Sequence, residues 1–310
     1  MTALKLFDML IMPILRYCAE VWSPSYIQKL TSNNLLSLCE KCPIEKIHNK
    51  FCRFVLGVNK FSTNAGVKAE FGRRPLLINL LIHSIKYWFY LGDKNANSVV
   101  KNAYLDDYQS AQSHCWTSKI KLLLGTFSLM HVWESHGTKH KNKITHMLLQ
   151  NLFSQHDNEW YSLISSNDSK LRTYCTFKSN YEFENYLLFG STGKFREFCK
   201  FRISAHQLRI ETGRYTKPHK TPLENRTCLL CDSGAIEDEK HFLLQCPTYS
   251  IERSTLFSTL NKFSLFEDLP ENDKFTFLMT YNNGDMEILK LIVDFVDECM
   301  NKRNINLSAL

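Results

Sequence analysis

Cys228, Cys231, His241 and Cys246 fall in the spacing C-x2-C-x9-H-x4-C, and Pro247 follows the last of them. Three thiolates and an imidazole are the donors that tetrahedral zinc prefers. Four protein ligands leave no open position for water or substrate, so the expected ion, one Zn2+, is structural and not catalytic. Two residues between Cys228 and Cys231 allow both sulfurs to face one metal from a tight turn. Phe242, Leu243 and Leu244 form a short apolar run between His241 and Cys246. So small a knuckle has almost no core, and metal binding is expected to supply most of its folding free energy.

The segment just before this cluster carries a second kind of chemistry. Residues 194–220 hold Lys194, Arg196, Lys200, Arg202, Arg209, Arg214, Lys217 and Lys220 against only Glu197 and Glu211, a net +6 where the whole chain has +7. Residues 221–310 are acidic. Phe195, Phe198, Phe201 and Tyr215 interleave the cations. Cations for phosphates with rings for unpaired bases are the composition of a nucleic-acid groove. A solvated helix face is the alternative. The expected contacts are Lys200, Arg202, His206, Arg209, Arg214, Tyr215, Lys217 and Lys220.

Two other groupings imitate chemistry. Tyr104-Leu-Asp106-Asp107 reads as the Y-x-D-D of a polymerase, but its polar flanks suit a helix end or loop and not a hairpin between apolar strands. Cys39, Cys42, His48 and Cys52 read as C-x2-C-x5-H-x3-C, with His48 and Cys52 one helical turn apart. Buried cysteines acting as small apolar residues are the expected role there, with a second metal site the alternative. His131, His136, His140 and His146 make no convincing set. No glycine-rich phosphate loop and no nucleophile with a partner set is apparent.

The elements that position these residues are expected to be helical, since no run alternates with period two. The fold class is mainly α, with a helical region, a small zinc knuckle and a C-terminal amphipathic helix. Helices are expected from Glu45 to the stop at Gly57, over Asn64–Phe71, from Pro75 to Gly92, from a Ser118 cap to near Gly137, over 142–164, after Ser169, and after Asp285. Ile47, Phe51, Phe54 and Val55 should form the buried face of the first. Residues 4–22 should be helical but broken at Pro13, and Asn33–Cys42 a connector. Segment boundaries are expected at 1–92, 93–193, 194–253 and 254–310. At 310 residues, 44% hydrophobic and 13% aromatic, the chain has enough apolar material to exclude disorder. Its eleven cysteines, without a secretory leader, point to a reducing compartment, nucleus or cytoplasm, with free thiols. Leu6–Leu15 is apolar, but Asp8 and Pro13 interrupt it and it is too short to span a bilayer, so no membrane partner is expected.

The run from Lys200 through Arg202, Ser204, His206, Leu208, Ile210, Glu211, Gly213 and Arg214 to Tyr215 resembles the segment before the terminal zinc knuckle of LINE-type (non-LTR) retrotransposon reverse transcriptases. The knuckle itself, with Ile236-Glu237-Asp238-Glu239 before His241 and Pro247 after Cys246, is similar to theirs. So are Pro13 to Trp22, Ile44 to Phe51, Glu70 to Leu76, Leu171 to Tyr174, Phe177-Lys178 and Glu184 to Leu187. The most specific part is 200–247. The resemblance implies a thumb-like region (1–92), a helical connector (93–193), the basic segment with a CCHC knuckle (194–253) and an acidic helical tail (254–310). It implies a fragment that starts after the catalytic palm, lacks the endonuclease, and is therefore a non-catalytic binder of RNA and/or DNA from a truncated or decayed element. Other parts of the retrotransposon polymerase would be further partners. The rival expectation is a zinc-stabilised protein–protein interaction module without nucleic-acid binding, whose acidic tail helix docks a partner.

Overall fold

Helix boundaries follow local start and stop signals closely. In the computed structural model, which describes residues 2–309 apart from 96–97, 111, 113, 136–139, 167–168 and 189–192, the chain is mainly helical and contains no strand among the described residues. The Pro43–Leu56 helix ends at Gly57, which takes φ 69°. That left-handed turn suits glycine, and a Cβ there would come within 2.5 Å of the Arg196 side chain. Pro75 precedes the Leu76–Gly92 helix, and Asp285 caps Met286–Ser308 by accepting from Glu287 N at 2.8 Å and Ile288 N at 3.1 Å.

Several expectations are corrected by partners distant in sequence. Asn33–Cys42 is not a connector: Leu35–Lys41 is a helix, because the Glu159 carboxylate accepts from Leu35 N at 2.9 Å and Leu36 N at 2.6 Å. Pro13 does not break its helix. It sits in the Met12–Leu15 turn behind a widened π-type turn at Phe7–Ile11, and the break comes later, at Cys18 with φ 52°. Ser118 does not cap a helix. It lies inside Trp116–Thr126, whose N-terminus is held by Asp107, which accepts from Thr117 N at 2.8 Å. The chain breaks again at Ser128, φ 57°, before a separate helix at Met130–Glu134; Gly137 lies outside the described residues. Ser169 closes a turn by accepting from Leu171 N, and only a 3-10 turn follows at Tyr174–Thr176. On Pro43–Leu56, Ile47 and Phe54 are exposed, and burial falls instead on Ile44, Glu45, His48, Cys52 and Leu56.

The described chain divides into two compact units, Met1–Phe51 with Gly72–Leu163, and Cys52–Phe71 with Ile164–Leu310. These bounds differ from those expected at 92, 193 and 253. In the first unit, Leu77, Leu80, Leu81, Ile85 and Trp88 are buried with Ile120, Leu124, Leu148 and Leu152 in one core. Trp88 stacks on Trp133 and its indole N–H donates to Tyr104 at 3.1 Å.

The second unit is built on the Met286–Ser308 helix, against which Gly193–Arg202, Ser250–Leu260 and Glu271–Gly284 pack. Residues 254–310 are thus core and not a tail: Ile288, Leu289, Ile292, Val296 and Cys299 are buried. At its centre lies an ionic group. The carboxylate of Glu70, fully buried, accepts from Arg202 Nε at 3.1 Å and from the hydroxyl of Tyr174 at 2.7 Å, and also from that of Tyr186. Arg202 reaches Glu184 at 2.9 Å and the Met279 carbonyl as well, and its guanidinium lies 4.9 Å from the Phe177 ring centroid. Burial pushes the Glu70 carboxyl up, but Arg202 and Lys178 outweigh it and hold the group below the ordinary carboxylate range. Truncating one partner of such a pair leaves a buried charge uncompensated. Arg202→Ala is therefore expected to destabilise the second unit by about 3–5 kcal/mol in urea denaturation. Lys194→Ala, which removes an exposed, solvent-screened bridge to Asp294, should leave the urea midpoint almost unchanged.

Candidate metal centre

Each half of the C-x2-C-x9-H-x4-C spacing is explained by a local fold. The first pair sits on a turn closed by a bridge between Thr227 and Ile236 and by Cys228 N donating to Ala235 O at 2.8 Å. Gly234, at φ 68°, supplies the left-handed residue that the return needs. The second pair spans a π-type turn, His241–Gln245, in which Cys246 N donates to His241 O at 2.7 Å. In an α-helix, residues five apart point about 140° away from each other. The wider turn brings His241 and Cys246 to the same side. Asp238 starts this turn by accepting from His241 N at 2.8 Å.

The result is one cluster. One ligand atom from each of Cys228, Cys231, His241 and Cys246 lies within 4.8 Å of all the others. The sulfurs of Cys228 and Cys246 are 4.0 Å apart, and Cys231 Sγ is 3.4 Å from His241 Nε2. These four residues could hold a metal ion, and they are the one such group among the described residues. The hydrogen bond between Cys228 and Cys246 lowers the Cys246 thiol and raises that of Cys228, so the pair holds one proton between them, which a metal would have to displace.

The cluster is not a knuckle with almost no core, as its length suggests, but is packed into the unit around it. Phe242 is buried 4.9 Å from Phe201 and 4.8 Å from Tyr249, centroid to centroid. Arg253, also buried, donates to the carbonyls of Leu243 at 3.0 Å and Cys246 at 2.7 Å, which closes the π-type turn. Glu237 takes Arg303 through two hydrogen bonds, at 2.7 and 2.8 Å, and accepts from Arg209 N at 2.8 Å. Glu239 accepts from His206 at 2.8 Å, Ser204 at 2.9 Å and Arg172 at 2.7 Å. Burial raises the Glu239 carboxyl, but His206 and Arg172 prevail and hold it at about 2. Only the Glu237-Asp238-Glu239 run hinted at this frame in the sequence, because Arg172, Arg253 and Arg303 are scattered along the chain.

The basic segment divides into inside and outside. Arg202 and His206, expected on nucleic acid, are buried on Glu70 and Glu239, so they belong to the frame and not to a surface. Lys200 pairs with Glu197 and lines a cavity of about 410 Å³ that Asp297 also lines, a poor setting for phosphate. Arg209 and Arg214 are half-buried, with Arg214 on Glu211 at 3.2 Å. Tyr215, Lys217 and Lys220 are exposed. Their loop is tied at its base by Thr221 N donating to Gly213 O at 2.9 Å and by the Thr216 and Thr221 hydroxyls, 2.8 Å apart.

Elsewhere, His48 lies between Glu45, at 3.3 Å, and Arg73 Nε, at 3.0 Å, and Cys39, Cys42, His48 and Cys52 form no metal group among the described residues. The Tyr104–Asp107 motif lies within the Val99–Ser110 helix, neither at its end nor in a loop, with Tyr104 buried and Asp107 engaged as a cap. His136 is outside the described residues. No described helix is long and apolar enough to cross a membrane. Comparison with protein-family models, curated proteins and solved structures gave no match.

The depressed Glu239 carboxyl makes stability pH-dependent. A carboxyl lowered by folding contributes stability above its ordinary value of 4.5 and loses it as pH falls through about 2. With chelator present throughout, Glu239→Gln should lower stability at neutral pH by on the order of 3 kcal/mol, and the gap to the parent should close toward pH 2. Metal titration should saturate at one ion per chain, and Cys246→Ser should abolish tight binding.

Proposed function

We propose that the cluster holds one structural zinc ion and that the loop beside it binds nucleic acid. Two thiolates bonded to one tetrahedral zinc lie about 3.8 Å apart, and a thiolate and an imidazole nitrogen about 3.6 Å. The separations of 4.0 and 3.4 Å in the cluster fit those values. All four positions are filled by protein, so the ion would serve structure. Arg253 and Thr248, the latter donating to Leu230 O at 2.8 Å, would hold the backbone around it.

The observation that carries the nucleic-acid reading is the loop of 214–220, which places Lys217 and Lys220 in solvent with no ion-pair partner among the described residues. Cations so placed release counterions when they meet phosphates. The resemblance of 200–247 to reverse transcriptases of the LINE type supports the same reading, and with it an origin as the thumb-to-knuckle portion of such a polymerase, working in the nucleus or cytoplasm. The reading assigns the chain no catalytic step of its own. The rival, a protein-binding module that docks through its last helix, is weakened because that helix buries Ile288, Ile292 and Val296 within its own unit.

The zinc-loaded chain should bind RNA or DNA with micromolar affinity at moderate salt. Lys217→Glu with Lys220→Glu should weaken binding to every sequence alike and reduce the slope of log affinity against log salt by about 1–2. Fluorescence anisotropy across a salt series measures both. Absence of binding by the parent chain would overturn the reading.

A further inference from the structure

Phe61 and Tyr215 are 154 residues apart in sequence, yet their ring centroids lie 5.6 Å apart at an interplanar angle of 38°. Both rings remain in solvent, with relative exposures of 57% and 55%. Large aromatics left this exposed in contact with each other are an unusual use of apolar surface. Cations frame them. Lys60 Nζ is 5.2 Å from the Phe61 centroid, and Lys170 Nζ is 5.9 Å from that of Tyr215.

Hydrogen bonds fix the backbone at both positions. Phe61 N donates to Asn59 Oδ1 at 2.9 Å, its carbonyl accepts from Lys170 Nζ at 3.4 Å, and Arg53 holds the next carbonyl, that of Ser62, at 3.1 Å. Tyr215 N donates to Thr212 O at 3.0 Å. Glu211 is buried and engaged by Arg172 at 2.7 Å, by Arg214 at 3.2 Å and by Lys170 at 3.6 Å. Lys170 is thus neutralised on its inner side, and Lys60 is the cation left in solvent beside the rings.

We infer that Phe61 and Tyr215 form a stacking platform for the unpaired bases of a single-stranded nucleic acid, with Lys60, Lys217 and Lys220 following its phosphates. This rests on the nucleic-acid reading above and narrows it to a substrate class. Exposed π-faces match bases that a duplex keeps stacked on one another, and surrounding cations match the backbone. The two rings already touch, so a base stacks on an outer face and does not insert between them. Nothing in the platform reads base edges, so it tolerates any sequence.

The test uses the full zinc-loaded chain with oligouridylate and oligothymidylate of about fifteen nucleotides, long enough for one such site, and a duplex of the same length. The Phe61→Ala, Tyr215→Ala double variant should lose about five- to a hundredfold in affinity for the single strands, with a much smaller loss on the duplex. Phe61→Tyr with Tyr215→Phe, which keeps both rings, should bind as the parent does. Comparison of the two single strands shows whether the ribose hydroxyl contributes. If the parent binds single strands and the double-alanine variant binds them equally well, the platform is wrong while the nucleic-acid reading stands. If the parent binds none of the three probes, the nucleic-acid reading fails and the platform with it. Should the double-alanine variant lose its thermal transition, quenching of the emission of a Phe61→Trp variant on adding the single strand, measured against the parent, decides instead: no additional quenching overturns the platform.

Discussion

The ion pair between Glu70 and Arg202 is the constraint on which the second unit depends. Both groups are fully buried, and neither would tolerate burial alone. Glu70 ends the helix that follows the Phe61 loop, and Arg202 ends the helix that leads to Tyr215. Joining the two draws together stretches of chain more than a hundred residues apart. Tyr174 and Tyr186 saturate the remaining acceptor capacity of Glu70, so the pair also fixes the irregular segment between 171 and 188. Hydrogen bonds on every oxygen distinguish this arrangement from a bare buried bridge, whose desolvation would cancel its attraction.

The same device recurs around the metal centre. Glu237, Glu239 and Glu211 are buried carboxylates, each met by an arginine from elsewhere in the sequence. Between them they set the backbone of Arg209–Thr212 against the cluster of cysteines and histidine. The four residues that could hold a metal are therefore set on a frame of buried ion pairs. The arginines that face inward give the fold its geometry, while Lys217 and Lys220 stay in solvent.

Much of this was legible in the sequence where the signal is local. Gly57, Pro75 and Asp285 mark helix ends because their conformational limits or side-chain acceptors act within one turn. The four metal ligands are legible because their spacing is itself the geometry of a tight turn and a widened helical turn. What escaped depends on distant partners. Nothing near Arg202 distinguishes a guanidinium aimed at phosphate from one aimed at Glu70, since the decisive carboxylate is 132 residues away. The same holds for His206, whose partner is Glu239, 33 residues on. Leu35–Lys41 looked like a connector because its cap, Glu159, is remote. Nothing local marks Phe61, since only the fold brings it to Tyr215.

The central claim is that the surface joining the Phe61 loop to the loop after Arg214 receives nucleic acid. Ultraviolet cross-linking of the zinc-loaded chain to a single-stranded oligonucleotide, followed by mass spectrometry of the peptides, tests it most directly. Adducts should concentrate on the peptides carrying Lys60–Phe61 and Tyr215–Lys220. Adducts confined to residues 1–51 and 72–163, or none under conditions where known binders cross-link, would contradict it.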